Sequence, residues 1–230
     1  MKKILSILCA LMLMLFITVD AKADLLGTYY NLPNTHPDME SWVANGNSYG
    51  VYPGMVENTL TGSMPTLTAY GSTRIKQWDW WDSKYQVFQR VDSTADLQTN
   101  FASSWFPVNT GLPGDPQDFA VKWTGKFYVA EDKNYTYSMG SDDDSWLFID
   151  KKLVLDLGGV HGLTYGSYTI ALTAGWHDID IFFAERNVVQ SGFQLNFFSD
   201  TVPTPTPEPM SMLLLGLGLV GLAGVSRRKF

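Results

Sequence analysis

From Asp118 to Phe198 the chain is punctuated as a run of short strands, and this pattern limits its fold more than any other feature. Residues 119–123 precede Thr124-Gly125 and then 127–130. Asp132-Lys133-Asn134 leads into 135–139, and 146–149 passes through Asp150-Lys151 into 153–155. Segments 168–172, 176–183 and 193–198 follow. Aromatic and β-branched segments with turns about every 8–12 residues predict an all-β fold, an antiparallel β-sandwich. In segment 176–183, Ile179, Ile181 and Phe183 fall on one side, and Asp178 and Asp180 on the other. That alternation predicts a strand with one wet face. Residues 25–30 read as a first strand. The rest of 24–117 is less regular, with loops at 45–50 and 111–116, no internal repeat and no second domain boundary.

The two ends do not belong to this domain. Lys2 and Lys3 precede an apolar run over 4–19, and Ala21-Lys22-Ala23 places small residues before Asp24. This is the layout of a secretory signal peptide, predicted over 1–23. At the other end, a proline-rich spacer (201–209) precedes an apolar run at 210–225 and the basic Arg227-Arg228-Lys229. The spacer cannot build a core. The apolar run is slightly short for a spanning helix of about 17–25 residues, and its basic end would stay in the cytoplasm. Residues 210–230 are therefore expected to be a membrane or sorting segment, with the domain, 24–200, exported.

The ends also hold six of the 16 basic residues and two of the 23 acidic ones, which leaves the middle with 10 against 21. Such a balance argues against a nucleic-acid partner. The one cysteine, Cys9, lies in the predicted signal peptide, so the mature domain has no disulfide, thiolate metal site or cysteine nucleophile.

Ser141-Asp142-Asp143-Asp144-Ser145 sets three neighbouring carboxylates between two apolar segments. Aspartate is a common turn former, and a solvated turn is one reading. The other is a cation among the oxygens, for which hard ligands select Ca²⁺.

The stretch 127–150, FYVAEDKNYTYSMGSDDDSWLFID, resembles the core motif of the anthrax-protective-antigen domain family, and is most similar to its fibro-slime subgroup. Three later segments agree in order: 152–161 with Asp156, Gly158-Gly159 and His161; 172–178 with Trp176-His177; and 183–193 with Glu185-Arg186-Asn187. The C-terminal Pro207-Glu208-Pro209, apolar run and basic end resemble the PEP-CTERM sorting signal.

The first resemblance implies a lectin-like sandwich of jelly-roll type, in which the paired aspartates hold Ca²⁺ across a cis peptide. Carried onto this chain, Asp142 and Asp143 are the metal ligands. Asp144 stands where many relatives have glycine and becomes a possible third, and Asn187 is the side-chain candidate from the loop before the last strand. Asp142, Asp143, His161 and Arg186 are the candidate sugar-contacting residues, although His161 equally suits a structural hydrogen bond and Arg186 a pairing with Glu185. The run Trp78-Asp79-Trp80-Trp81 offers either a sugar platform or packing, and Asp156 either an ion oxygen or a clamp on the glycine turn. The second resemblance implies an exosortase partner and a Gram-negative producer of extracellular polysaccharide.

These expectations describe an exported, noncatalytic, Ca²⁺-dependent carbohydrate-binding or adhesion module whose partner is a glycan. The alternatives are a structural matrix protein that keeps calcium only for folding, and a glycoside hydrolase built on two of the carboxylates.

Overall fold

The computed structural model describes residues 24–40, 47–108, 116–187 and 190–197. The predicted signal peptide, the proline-rich spacer, the C-terminal segment and most of the 111–116 loop lie outside them. Among the described residues no helix is long and apolar enough to cross a membrane.

Among the described residues, nine strands form two antiparallel sheets. β1 (Asp24–Asn31), β2 (Gln86–Ser93), β3 (Phe119–Val129), β5 (Asp144–Ile149), β6 (Lys152–Leu157) and β8 (Gly175–Glu185) make a six-stranded sheet in the order β2-β1-β3-β8-β5-β6. β7 (Thr164–Leu172), β4 (Lys133–Asp142) and β9 (Gly192–Phe197) make a three-stranded sheet in the order β7-β4-β9. The helices are short: α1 (Gly71–Arg74), α2 (Thr94–Thr99) and one 3-10 turn at Ser83–Tyr85. Ser93 and Asp96 cap α2 reciprocally, side chain to backbone.

The two sheets close on one core. The inward rows of the large sheet bring Trp123, Phe127, Leu147, Ile179, Ile181 and Phe183. The small sheet answers with Tyr135, Tyr137, Met139, Phe193 and Leu195. This is the predicted sandwich. The expectation of one wet face on the strand around Ile179 needs correction. Asp178 and Asp180 are partly exposed, but further along β8 Phe182 and Ala184 are buried on the same side. A second core covers them, where Trp80, Trp81, Met55 and Leu32 pack on Trp146, Phe148 and Phe182. Among the described residues, the irregular region before residue 82 therefore supplies an outer layer on the large sheet.

Two turns read from the sequence have different fates. Asp150 and Lys151 both have positive φ, 49° and 65°, and join β5 to β6 as a tight hairpin. Thr124-Gly125 is no turn, since β3 runs straight through it. A Cβ at Gly125 would lie 2.4 Å from Leu25 Cδ2, so the glycine serves the close approach of β1.

Candidate functional site

The acidic triplet is the link between the two sheets. β4 ends at Asp142, paired with Gly192 in the small sheet, and β5 begins at Asp144, paired with Ala184 in the large one. Asp143 sits between them, and the Asp142–Asp143 peptide bond is cis. The solvated-turn reading fails here: Asp142 is 7% exposed, Asp143 1% and Asp144 0%.

The three side chains diverge. Asp143 accepts backbone N–H bonds from His161 at Oδ1 (2.7 Å) and from Arg186 at Oδ2 (3.1 Å). Asp142 accepts one from Leu163. Asp144 turns away. Its oxygens take the Arg186 guanidinium, Nε at 2.7 Å and Nη2 at 3.2 Å, and the Gly159 N–H at 2.5 Å. Asp144 is thus not placed as an ion ligand. Its charge is matched by a buried arginine, a pair whose loss on one side costs about 3–5 kcal/mol.

Two further expectations are corrected by the same geometry. Arg186 is 2% exposed, and its guanidinium lies between Asp144 and the Trp80 ring, 5.0 Å from the ring centre. It cannot reach a sugar from there. What Arg186 gives the site is its backbone N–H. His161 is buried, with Nε2 on the Leu157 carbonyl (2.8 Å) and Nδ1 on that of Gly162 (2.9 Å), so it too contributes its backbone N–H. Asp156 accepts from Gly158 N (2.9 Å) and Gly54 N (2.7 Å), which clamps the glycine turn. The tryptophans at 78, 80 and 81 belong to the second core and offer no platform at the site.

The sequence offered Glu185 only as a partner for Arg186, but Arg186 pairs with Asp144 and Glu185 joins the acidic cluster. Glu185 is fully buried at the end of β8, and one oxygen each from Asp142, Asp143 and Glu185 can lie within 4.8 Å of one another. Its Oε1 accepts the Asn187 N–H at 3.1 Å, while Oε2 is buried without a donor. The alternation of Ile179, Ile181 and Phe183, carried one step further, would have placed this carboxylate on the core side.

Electrostatically the cluster is under tension. Burial raises the Asp142 pKa to about 6, against the opposing charge of His161. Burial and then the charge of Asp144 raise Asp143 to about 7. Glu185 is raised well above the ordinary carboxylate range by burial, then by Asp143. Buried carboxylates crowded in this way need a proton or a cation. Oxygen-only donors and an orphaned oxygen fit a hard divalent ion such as Ca²⁺. Asp142 and Asp143 open onto a small cavity of about 150 Å³, also lined by Tyr49, Gly162, Asn187 and Gln190. Asn187 is thereby brought to the site, half-buried at its edge. Tyr49 arrives because Gly50 N and Tyr52 N bond the carbonyls of Val160 (2.8 Å) and Gly158 (2.6 Å).

Residues 69–210, more than half of the chain, match the PA14 domain. The chain belongs to the PA14 domain family. Residues 205–229 match the PEP-CTERM protein-sorting motif. Among curated relatives, Dictyostelium discoideum protein psiB is 34% identical over 120 residues, covering 45% of this chain and 22% of psiB. Protein psiG of the same organism is 24% identical over 215 residues, covering 76% of this chain and 29% of psiG. The chain thus spans less than a third of the length of either. Solved structures similar to it include the A domain of epithelial adhesin 9 from Candida glabrata, in complex with Galb1-4GlcNAc. It has a TM-score of 0.43 and 13% identity, with 81% of this chain and 84% of that one covered. The PA14 domain of the MpAFP antifreeze protein has a TM-score of 0.41 and 14% identity, with 80% and 93% covered.

Proposed function

We propose that this PA14 domain is an exported, noncatalytic carbohydrate-binding module whose site is organised by Ca²⁺. Asp142, Asp143 and Glu185 would hold the ion, with Asn187 at the open side. The observation that carries the reading is the buried trio of carboxylates with one oxygen left without a donor, set directly behind a solvent-facing cavity. When bound, calcium supplies open coordination positions to paired sugar hydroxyls. The chain's own residues do the rest. The amides of His161 and Arg186 fix the Asp143 carboxylate, and the Arg186–Asp144 pair holds the 185–187 segment against β5. Tyr49, 64% exposed, stands at the cavity rim, where an aromatic face can cover the apolar side of a sugar ring.

Burial also supports a noncatalytic role. A glycosidase needs two carboxylates flanking the bond it cuts, and Asp143 and Glu185 are 1% and 0% exposed. The PEP-CTERM match supports export, with an exosortase acting on the tail and a destination at the outer surface of a Gram-negative cell.

Melting in millimolar calcium against chelator tests the ion, with an extracellular-type Kd of about 10⁻⁴–10⁻³ M expected. Glycan-array binding that requires calcium and disappears in Asp143→Asn is the expected result. A calcium-dependent rise in Tm with no glycan bound at any calcium level would reduce the site to a structural one.

A further inference from the structure

The outer face of the three-stranded sheet runs away from the cavity, and its composition departs from the rest of the domain. In β4 the residues that alternate with the core-facing Tyr135, Tyr137 and Met139 are Asn134, Thr136, Ser138, Gly140 and finally Asp142. Register sets Ala171, Thr169, Ser167 and Tyr165 of β7 opposite the first four. On the other side Asn196 lies opposite Ser138, and Gln194 opposite Gly140. Asp142, at the cavity, is the only charged residue among these positions. Protein surfaces ordinarily carry about a quarter to a third charged residues, and this domain holds 31 of them between residues 24 and 200. Asn134, Tyr165, Ser167, Thr169 and Ala171 are exposed, and Thr136, Ser138, Gln194 and Asn196 are partly so.

One aromatic ring joins this face to the cavity. Tyr165 is 55% exposed and lies across Gly140: a Cβ there would meet its ring carbons at 2.4 and 2.5 Å. Leu163, whose N–H bonds Asp142, is 38% exposed on the same side, and Tyr49 stands on the far rim. From Asp142 to Asn134 the β4 row extends about 26 Å at a strand rise of about 3.3 Å per residue.

We propose that this face is a binding track for an uncharged, linear polysaccharide, one sugar of which enters the cavity while its neighbours lie over Tyr165 and the serine and threonine rows. The track rests on the sugar-binding reading of the cavity and deepens it: the ligand is a neutral polymer bound along its length and not a terminal sugar alone. Hydroxyls and amides on a flat surface can exchange hydrogen bonds with water for hydrogen bonds with sugar hydroxyls. The absence of charge avoids the desolvation cost that an acidic or basic side chain would impose. A protein partner is disfavoured, because interface centres are enriched in aromatic, Met and Arg side chains, and this face carries a single tyrosine.

The test is a calcium-saturated titration of the full domain with neutral gluco-, galacto- and manno-oligosaccharides, each as mono-, tri- and hexasaccharide. In the series whose monosaccharide binds, affinity is expected to rise by about tenfold or more with length, equivalent to about 1.4 kcal/mol. Tyr165→Ala and Ser167→Glu are expected to bring the hexasaccharide down towards the monosaccharide. Val91→Glu, an exposed change on β2, is expected to keep the gain, and circular dichroism confirms folding in each case. Monosaccharide binding that depends on Asp143 but shows no gain with length overturns the track and leaves the cavity reading intact. No binding at any length overturns both.

Discussion

Glu185 is where one side chain says most about the site. A carboxylate that is fully buried, has one oxygen without a donor and faces two other acids is tolerable only if a proton or a cation shares the space. Glu185→Gln keeps the shape and removes the charge. Calcium affinity in this variant is expected to fall by about tenfold or more, since ligand charge sets affinity at such sites. In chelator the variant is expected to melt no lower than the parent, because a buried charge has been removed. Isothermal titration and melting curves read the two effects, and an unchanged calcium affinity would remove Glu185 from the ligand set. The sequence disclosed this site unevenly. Asp142 and Asp143 were visible as adjacent acids within a family-like motif. Asp144 looked equivalent to them because linear order does not reveal that its side chain turns to the face of the large sheet where Arg186 and Trp80 lie. Arg186 looked available because nothing in the sequence shows Asp144 and Trp80 enclosing it.

At the scale of elements, the β5–β6 hairpin is fastened to β8 by His177. Its Nδ1 lies 2.6 Å from Asp150 Oδ2, and its Nε2 2.8 Å from the Thr173 carbonyl, while Asp178 N–H bonds Asp150 Oδ1 at 3.0 Å. Burial opposes the charged ring, but the Asp150 hydrogen bond, the Thr173 carbonyl and the nearby charges of Asp150 and Asp178 outweigh it, and the pKa is raised above 6.5. A raised histidine pKa means that the folded state holds the proton more tightly than the unfolded chain. The stabilisation is complete below 6.5 and is lost as pH rises through the folded value. The difference in Tm between wild type and His177→Gln, both in chelator, is therefore expected to be largest near pH 6 and to shrink towards pH 8. A difference that stays constant, or grows, would show that the ring acts by packing alone. This hairpin was legible from Asp150-Lys151, as were β1, β4, β5, β8 and β9 within a residue or a few. β2 was not, because it is an edge strand whose exposed and half-buried residues blur the alternation. Gly125 misled because a glycine that admits a neighbouring strand looks the same in sequence as one that makes a turn.

For the whole molecule, the question is how much chain the sandwich requires. The family match begins at residue 69, yet β1 lies between β2 and β3 in the large sheet, and Tyr30, Leu32, Met39, Met55, Val56 and Leu60 supply much of the layer over its outer face. That layer was opaque in the sequence: its order comes from long-range packing of Leu32, Met39, Met55 and Val56, not from local periodicity. Without it, Trp146, Phe148 and Phe182, all fully buried, would face water. Each exposed side chain forfeits about 1.5–3 kcal/mol, and the loss of β1 would also leave the adjoining edges of β2 and β3 unpaired. Against a total stability of about 5–15 kcal/mol for a domain, the sum is decisive. A chain beginning at residue 69 is expected to show no cooperative thermal transition and to bind a hydrophobic dye, whereas one beginning at Asp24 is expected to melt cooperatively. A cooperative melt with native near-ultraviolet dichroism from the shorter chain would mean that the two cores are independent. The coupling also reaches the site. Arg186 touches Asp144 on one side and the Trp80 ring of the second core on the other, so the outer layer backs the segment that presents Glu185 and Asn187.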